Sequence, residues 1–148
     1  MKIRAGIIGT GSAVPKGIVT NEDLSRIVET TDSWITERTG IKERRVTDYN
    51  TTTSDLAYEA SVKALEDAKI DPSKIDLIIV ATCSPDMLFP SVSCILQDKL
   101  KAHNAAAFDV SAACSGFNFA LSVASGYIES GAYRMILAVG ADTLTKYI

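Results

Sequence analysis

An apolar run of strand length, Ala105-Ala106-Ala107-Phe108-Asp109-Val110, gives way within five residues to helical periodicity, and that switch restricts the fold more than any other stretch of the chain. A short continuous apolar run is expected of a strand covered on both faces, as in α/β sheets. From Ser115 the pattern changes: Phe119, Val123 and Tyr127 recur every fourth residue, with Leu121 and Ile128 beside them, up to a stop at Gly131. The segment reads as strand, sharp turn, helix. The helix is apolar nearly all round, which predicts burial between two layers.

The same alternation runs through the chain. Strands are predicted over residues 2–9, 76–82, 105–110 and 135–139. Helices are predicted over 20–28, 30–38, 52–68, 91–100 and 115–130, with Thr20 and Thr52 or Thr53 as caps and a stripe of Leu56, Ala60, Ala64 and Ala68. Residues 83–90 form a loop carrying Pro85 and Pro90. The order β-α-β-α-β-α-β predicts an α/β fold with a largely parallel sheet and right-handed crossovers. Gly9-Thr10-Gly11 does not make a dinucleotide fingerprint: Val14 stands where the third glycine belongs and Pro15 interrupts the helix that should follow. These glycines are expected to bring backbone close to a neighbouring element.

Composition sets outer bounds. With 148 residues and 47% hydrophobic content the chain can bury a core of its own. A net charge of −3 offers no footprint for nucleic acid. No apolar run reaches membrane-spanning length and no secretory leader opens the chain. The three cysteines, Cys83, Cys94 and Cys114, form no Cys-x-x-Cys pair, and with one histidine no zinc site is expected. Unpaired thiols point to a reducing, cytoplasmic setting.

Cys114 falls where the strand of residues 105–110 has ended and the helix begins. Unpaired amides and the positive end of the helix dipole favour thiolate there, and small neighbours (Ala112, Ala113, Ser115, Gly116) allow a substrate to come close. The geometry is analogous to a hydrolase nucleophile elbow with sulfur in place of oxygen. The alternative is a small cysteine packed at a strand–helix junction. His103 precedes Cys114 by more than a strand's length, about 20 Å or more at some 3.3 Å per residue, so it is a poor general base. Trp34 and Arg38 share a helix face and can sandwich a planar base between ring and cation. Equally, Trp34 can anchor its segment while Arg38 is simply solvated.

Several segments carry a family resemblance. Asp109-Val110-Ser111-Ala112-Ala113-Cys114-Ser115-Gly116-Phe117 resembles the nucleophile segment of β-ketoacyl-acyl carrier protein synthase III, of the thiolase superfamily. Gly9-Thr10-Gly11-Ser12, Thr31-Asp32-Ser33-Trp34-Ile35 with Arg38-Thr39-Gly40-Ile41, and Phe89-Pro90-Ser91 resemble the same family in its order and spacing. The resemblance covers the whole chain, but only the family's N-terminal half. It implies a thiolase-like half-domain over residues 1–148, with the last strand and the C-terminal half absent, which would leave the sheet face lined by the Cys114 helix without its cover.

The resemblance further implies an acyltransferase that initiates fatty acid synthesis. Cys114 would take an acyl group from acyl-coenzyme A and, with the C-terminal half, condense it with malonyl-acyl carrier protein in a decarboxylating Claisen reaction. Thr30, Trp34 and Arg38 would hold coenzyme A, with Lys42, Arg44 and Arg45 near its 3′-phosphate or an acidic carrier. Phe89 would line the acyl pocket of a dimer mate, and the strand of residues 105–110 would pair across a homodimer. The family's His and Asn lie in its second half, so this chain alone is not expected to complete condensation. Acyl-coenzyme A is substrate, and no cofactor is expected. The alternatives are an inactive fragment, a non-catalytic subunit that binds coenzyme A or a partner, or a relative such as hydroxymethylglutaryl-coenzyme A synthase; a plain thiolase fits the Thr31-to-Ile41 segment less well.

Overall fold

In the computed structural model, which describes residues 3–147, the sheet is built around the most apolar strand in the chain. Strand β3, Leu77–Ala81, is buried at every position. It lies between β4, Ala106–Val110, and β5, Ile136–Gly140, and pairs parallel with both: Leu77 opposes Ala106 on one side and Ile136 on the other. Two shorter strands precede it, β1, Gly17–Thr20, and β2, Glu43–Val46. The helices are α1, Asn21–Ser25; α2, Asp32–Thr39; α3, Thr53–Ala68; α4, Val92–Leu100; and α5, Gly116–Ser130.

The chain divides into two compact units. The first takes in Thr52–Leu144 and the stretch through Ala13. Alternation along β3 gives its sheet two apolar faces. Ile78 and Val80 pack with Ala57, Val92 and Leu96 of α3 and α4, while Leu77, Ile79 and Ala81 pack with Ala120 and Ala124 of α5. Placing the two crossover helices on opposite faces is what right-handed connections to strands on either side of β3 require. Asp109 of β4 ties this layer together, since its carboxylate accepts from the amides of Val92 (2.9 Å) and Ser93 (2.8 Å) at the start of α4.

The second unit takes in Val14–Thr51 with the residues from Thr145 on. There β1 and β2 form an antiparallel ladder, Gly17 opposite Val46. Asn21, fully buried, is its hub: its amide donates to Asp32 (2.8 Å), Thr36 (3.3 Å) and the Ile41 carbonyl (2.7 Å), and its oxygen accepts from Arg44 at 2.6 Å. Both the donor and the acceptor end of this buried amide are thus partnered.

Four expectations are corrected. Residues 3–9 form no strand, and Lys2 lies outside the described residues. Instead of pairing edge to edge, the segment that follows lies along α3: the Thr10 amide donates to Asp67 (2.9 Å) and Lys63 donates to the Ser12 carbonyl (2.9 Å). A Cβ at Gly11 would stand 2.2 Å from the Ala60 carbonyl oxygen, so the close approach requires glycine. The stripe of Ala60, Ala64 and Ala68 serves this contact, while the deep face of α3 is Ser54, Ala57 and Ser61. Helix α1 ends at Ser25 rather than at residue 28. Strand β4 is half-buried rather than covered on both faces, because it is an edge strand here. Finally, α5 buries only Gly116, Ala120 and Ala124, and Phe117, Phe119 and Tyr127 are exposed. The β1–β2 pair was not foreseen, because Arg44 and Arg45 interrupt any apolar alternation there. Among the described residues no helix is long and apolar enough to cross a membrane.

Candidate active site

Parallel α/β sheets present their loops for chemistry at the carboxyl ends of the strands, and Cys114 is found at that edge. After β4 the chain turns through a single 3₁₀ turn, Ala113–Ser115, directly into α5. Ala113 takes φ +45°, in the left-handed region that an L-residue enters at a cost. Only a small side chain suits such a turn. No side chain caps α5, whose N-cap residue is Ser115. Gly116 seats the helix on the sheet: a Cβ there would stand 3.1 Å from that of Ala81 and 4.0 Å from the Val110 carbonyl oxygen. Cys114 is exposed, so the thiol is open to solvent rather than sealed in the core.

The strand ends around it are held by one carboxylate. Asp142 follows β5, and its Oδ1 accepts from Thr82 Oγ1 (3.1 Å), the amides of Cys83 (2.9 Å) and Ser84 (3.1 Å), the Ser84 hydroxyl (2.8 Å) and the Cys83 thiol (3.4 Å). Burial works against its charge, but these donors hold the Asp142 carboxyl below the usual carboxylate range. The Cys83 thiol is pushed up, first by its hydrogen bond to Asp142, then by burial, by the Asp142 charge and by Cys114. Asp142 was not singled out from sequence. Its position just past a predicted strand was the available signal.

The coenzyme residues foreseen lie in the second unit. Thr31 caps α2 by accepting from the Trp34 amide at 3.1 Å. One turn on, the Arg38 guanidinium carbon sits 4.9 Å from the centre of the Trp34 ring. Glu29, Thr30, Thr31 and Trp34 line an open cavity of about 270 Å³. Thr30 Oγ1 is buried there without a hydrogen-bond partner, alone in this among the described residues. Of the basic residues that follow, Arg44 is engaged internally, to Asn21 and to the Val19 carbonyl, and Arg45 donates to the Pro15 carbonyl at 3.3 Å. Phe89 stands on the loop before α4, 87% exposed beside exposed Leu88 and Met87. His103 lies in the link that precedes β4, whereas Cys114 follows that strand, and Cys94 is half-buried in α4. Among the described residues no group of three or more His, Cys, Asp or Glu side chains is placed to hold a metal.

Known proteins resemble this chain along its length. The family described as 3-oxoacyl-[acyl-carrier-protein] synthase III matches residues 108–148, which include Cys114. A β-ketoacyl-[acyl-carrier-protein] synthase III of Caldanaerobacter subterraneus is 58% identical over 147 residues, 99% of this chain and 44% of that protein. Along its whole length the chain is similar to the N-terminal half of β-ketoacyl-acyl carrier protein synthase III. The Clostridium acetobutylicum synthase III is likewise 58% identical, over 96% of the chain and 43% of its own length. Among solved structures, the synthase III of Aquifex aeolicus superimposes with a TM-score of 0.91 at 49% identity, covering 95% of this chain and 45% of its own. A priming β-ketosynthase of the R1128 polyketide pathway gives 0.91 at 37% identity over 98% of the chain. The chain thus spans about 44% of the length of the curated synthase III relatives it matches, and its fold is the thiolase-like one.

Proposed function

We propose that this chain supplies the nucleophile and the coenzyme platform of an acyltransferase that initiates fatty acid synthesis. The observation that carries the reading is an exposed cysteine, Cys114, at the carboxyl edge of a parallel sheet, in a chain 58% identical along its length to synthase III. The Cys114 thiolate attacks the thioester carbonyl of a short acyl-coenzyme A. A carbon–sulfur bond forms to Cys114, the tetrahedral oxyanion collapses, and coenzyme A leaves as its thiolate and takes up a proton. The Cys114 amide is one donor to that oxyanion. Condensation with malonyl-acyl carrier protein then needs the groups that the family carries in its second half.

On the second unit, the Arg38 guanidinium rests 4.9 Å from the centre of the Trp34 ring, too close to admit a base. The adenine therefore enters as Arg38 swings off the ring and then stacks between ring and cation, and Thr30 gives its unpartnered hydroxyl to the ligand. The open edge of β4 supports pairing with a second copy, which would deliver Phe89 to its mate. The free thiols and the absence of a spanning helix among the described residues favour a cytoplasmic setting. Trp34 is the chain's only tryptophan, so its fluorescence reports on the platform directly. Coenzyme A should quench it, and Arg38→Ala should weaken binding about tenfold, the equivalent of losing one cation–π contact of ~1–2 kcal/mol. Unchanged affinity in Arg38→Ala would remove Arg38 from the reading.

A further inference from the structure

Cys83 has no part in the chemistry above, yet the sheet register roots its segment beside the turn that carries Cys114. The turn that carries Cys114 is pinched at both ends over one residue of β3. Val110 is the register partner of Ala81, and the Thr82 amide donates to the Val110 carbonyl at 3.2 Å. Gly116 rests on the same Ala81, its Cβ position 3.1 Å from that of Ala81. Cys83 lies two residues after Ala81 and Cys114 two before Gly116, so both leave a common contact point at the carboxyl edge of the sheet. Both are exposed. Cys83 is also held in place, by its amide (2.9 Å) and its thiol (3.4 Å) on Asp142 Oδ1.

We propose that Cys83 and Cys114 are a redox pair, joined by a disulfide when a peroxide reaches the site. Hydrogen peroxide oxidises the Cys114 thiolate to a sulfenic acid, leaving one hydroxyl on sulfur and releasing the other oxygen as water. The Cys83 sulfur then attacks the Cys114 sulfur. Its proton passes by way of the Asp142 carboxylate to the departing hydroxyl, which leaves as a second water. One peroxide is reduced and two thiols are oxidised. A dithiol reductant reverses the step by exchange. The hydrogen bond to Asp142 raises the Cys83 thiol, so the first oxidation falls on the exposed Cys114 at the helix start. The bond itself does not depend on Cys114 being the acyl carrier. Only the accompanying loss of acyl transfer rests on that reading.

The test treats the purified chain with hydrogen peroxide, alkylates what remains free, and maps the cysteines by mass spectrometry. The expected product is a Cys83–Cys114 cross-linked peptide, lighter by two hydrogens and abolished by dithiothreitol, with Cys94 still alkylated. In Cys83→Ser, which keeps a hydroxyl donor for Asp142, dimedone should trap several-fold more sulfenic acid on Cys114, because its resolving thiol is gone. Cross-links through Cys94, cross-links only between chains, or sulfinic acid on Cys114 in the wild type with Cys83 free would each overturn the proposal. Because the wild-type peptide map decides by itself, a poorly folded variant does not rescue it.

Discussion

Ala113 pays a conformational cost that its neighbours do not, and the residue after it is the one the family likeness makes the nucleophile. A left-handed φ of +45° on an alanine persists only where surrounding packing over-determines it, here through Gly116 against Ala81. The three thiols differ correspondingly. Cys94 is half-buried in a helix, Cys83 is bonded to a carboxylate, and Cys114 is exposed at an uncapped helix start. Iodoacetamide at neutral pH should therefore label Cys114 first. Cys83 should react only as the pH rises past the ordinary thiol value of 9.0, since its own is raised. Equal rates at the three cysteines, read by peptide mass spectrometry, would favour a packed-cysteine role for Cys114. Much of this was legible beforehand: small residues around a cysteine at a strand–helix switch are a local signal. Asp142 and Asn21 were not, because each earns its place through partners as far as 60 positions away in the sequence for Asp142 and 23 for Asn21.

At the scale of elements, capping and periodicity carried the reading. Helix α3 starts with the reciprocal Thr52–Asp55 bonds of a capping box, and β3 and β5 fall on uninterrupted apolar runs. What failed was partner choice. An apolar run becomes a strand only when another strand offers it a ladder, and residues 3–9 have none, so the segment's exposed isoleucines could not announce the contact to α3. The Gly11 contact is testable. Gly11→Ala would force its Cβ into the Ala60 carbonyl, and stability should fall by about 1–3 kcal/mol in urea unfolding, the ordinary cost of overpacking against rigid backbone. An unchanged midpoint would mean the N-terminal stretch does not hold this position.

Helices α3 and α4 are also joined by the Asp55–Lys99 ion pair. Burial opposes the Asp55 charge, but Lys99 and the Thr52 cap outweigh it and lower its carboxyl to about 2 from 3.8. A depressed carboxyl stabilises the fold above its unfolded value and ceases to do so as the pH falls through its folded value. The contribution is therefore complete above pH 3.8 and lost toward about 2. Because the pair is partly exposed, it is worth below about 1 kcal/mol. Lys99→Met should flatten the stability loss in that window, measured by denaturant titration at each pH. An identical acid profile in the variant would show that the pair contributes nothing.

For the whole molecule, the question is division of labour. One compact unit carries the sulfur and the other carries Trp34 and Arg38. The apolar pattern of α5 by itself predicts cover on both sides, but the exposed Phe117, Phe119 and Tyr127 agree with the expectation that a chain spanning one half of the fold leaves this helix without its outer cover. The relatives are more than twice as long, and the His and Asn that the family resemblance implies for decarboxylation would lie in the part this chain does not span. Acyl capture and condensation should therefore separate in a single assay. The chain is incubated with acetyl-coenzyme A and malonyl-acyl carrier protein, the Cys114 peptide is weighed, and ketoacyl product is followed. The account predicts an acetyl group on Cys114, absent in Cys114→Ser, with no ketoacyl product accumulating. An unmodified Cys114 with the acetyl group on another residue, or steady ketoacyl product from this chain alone, would contradict it.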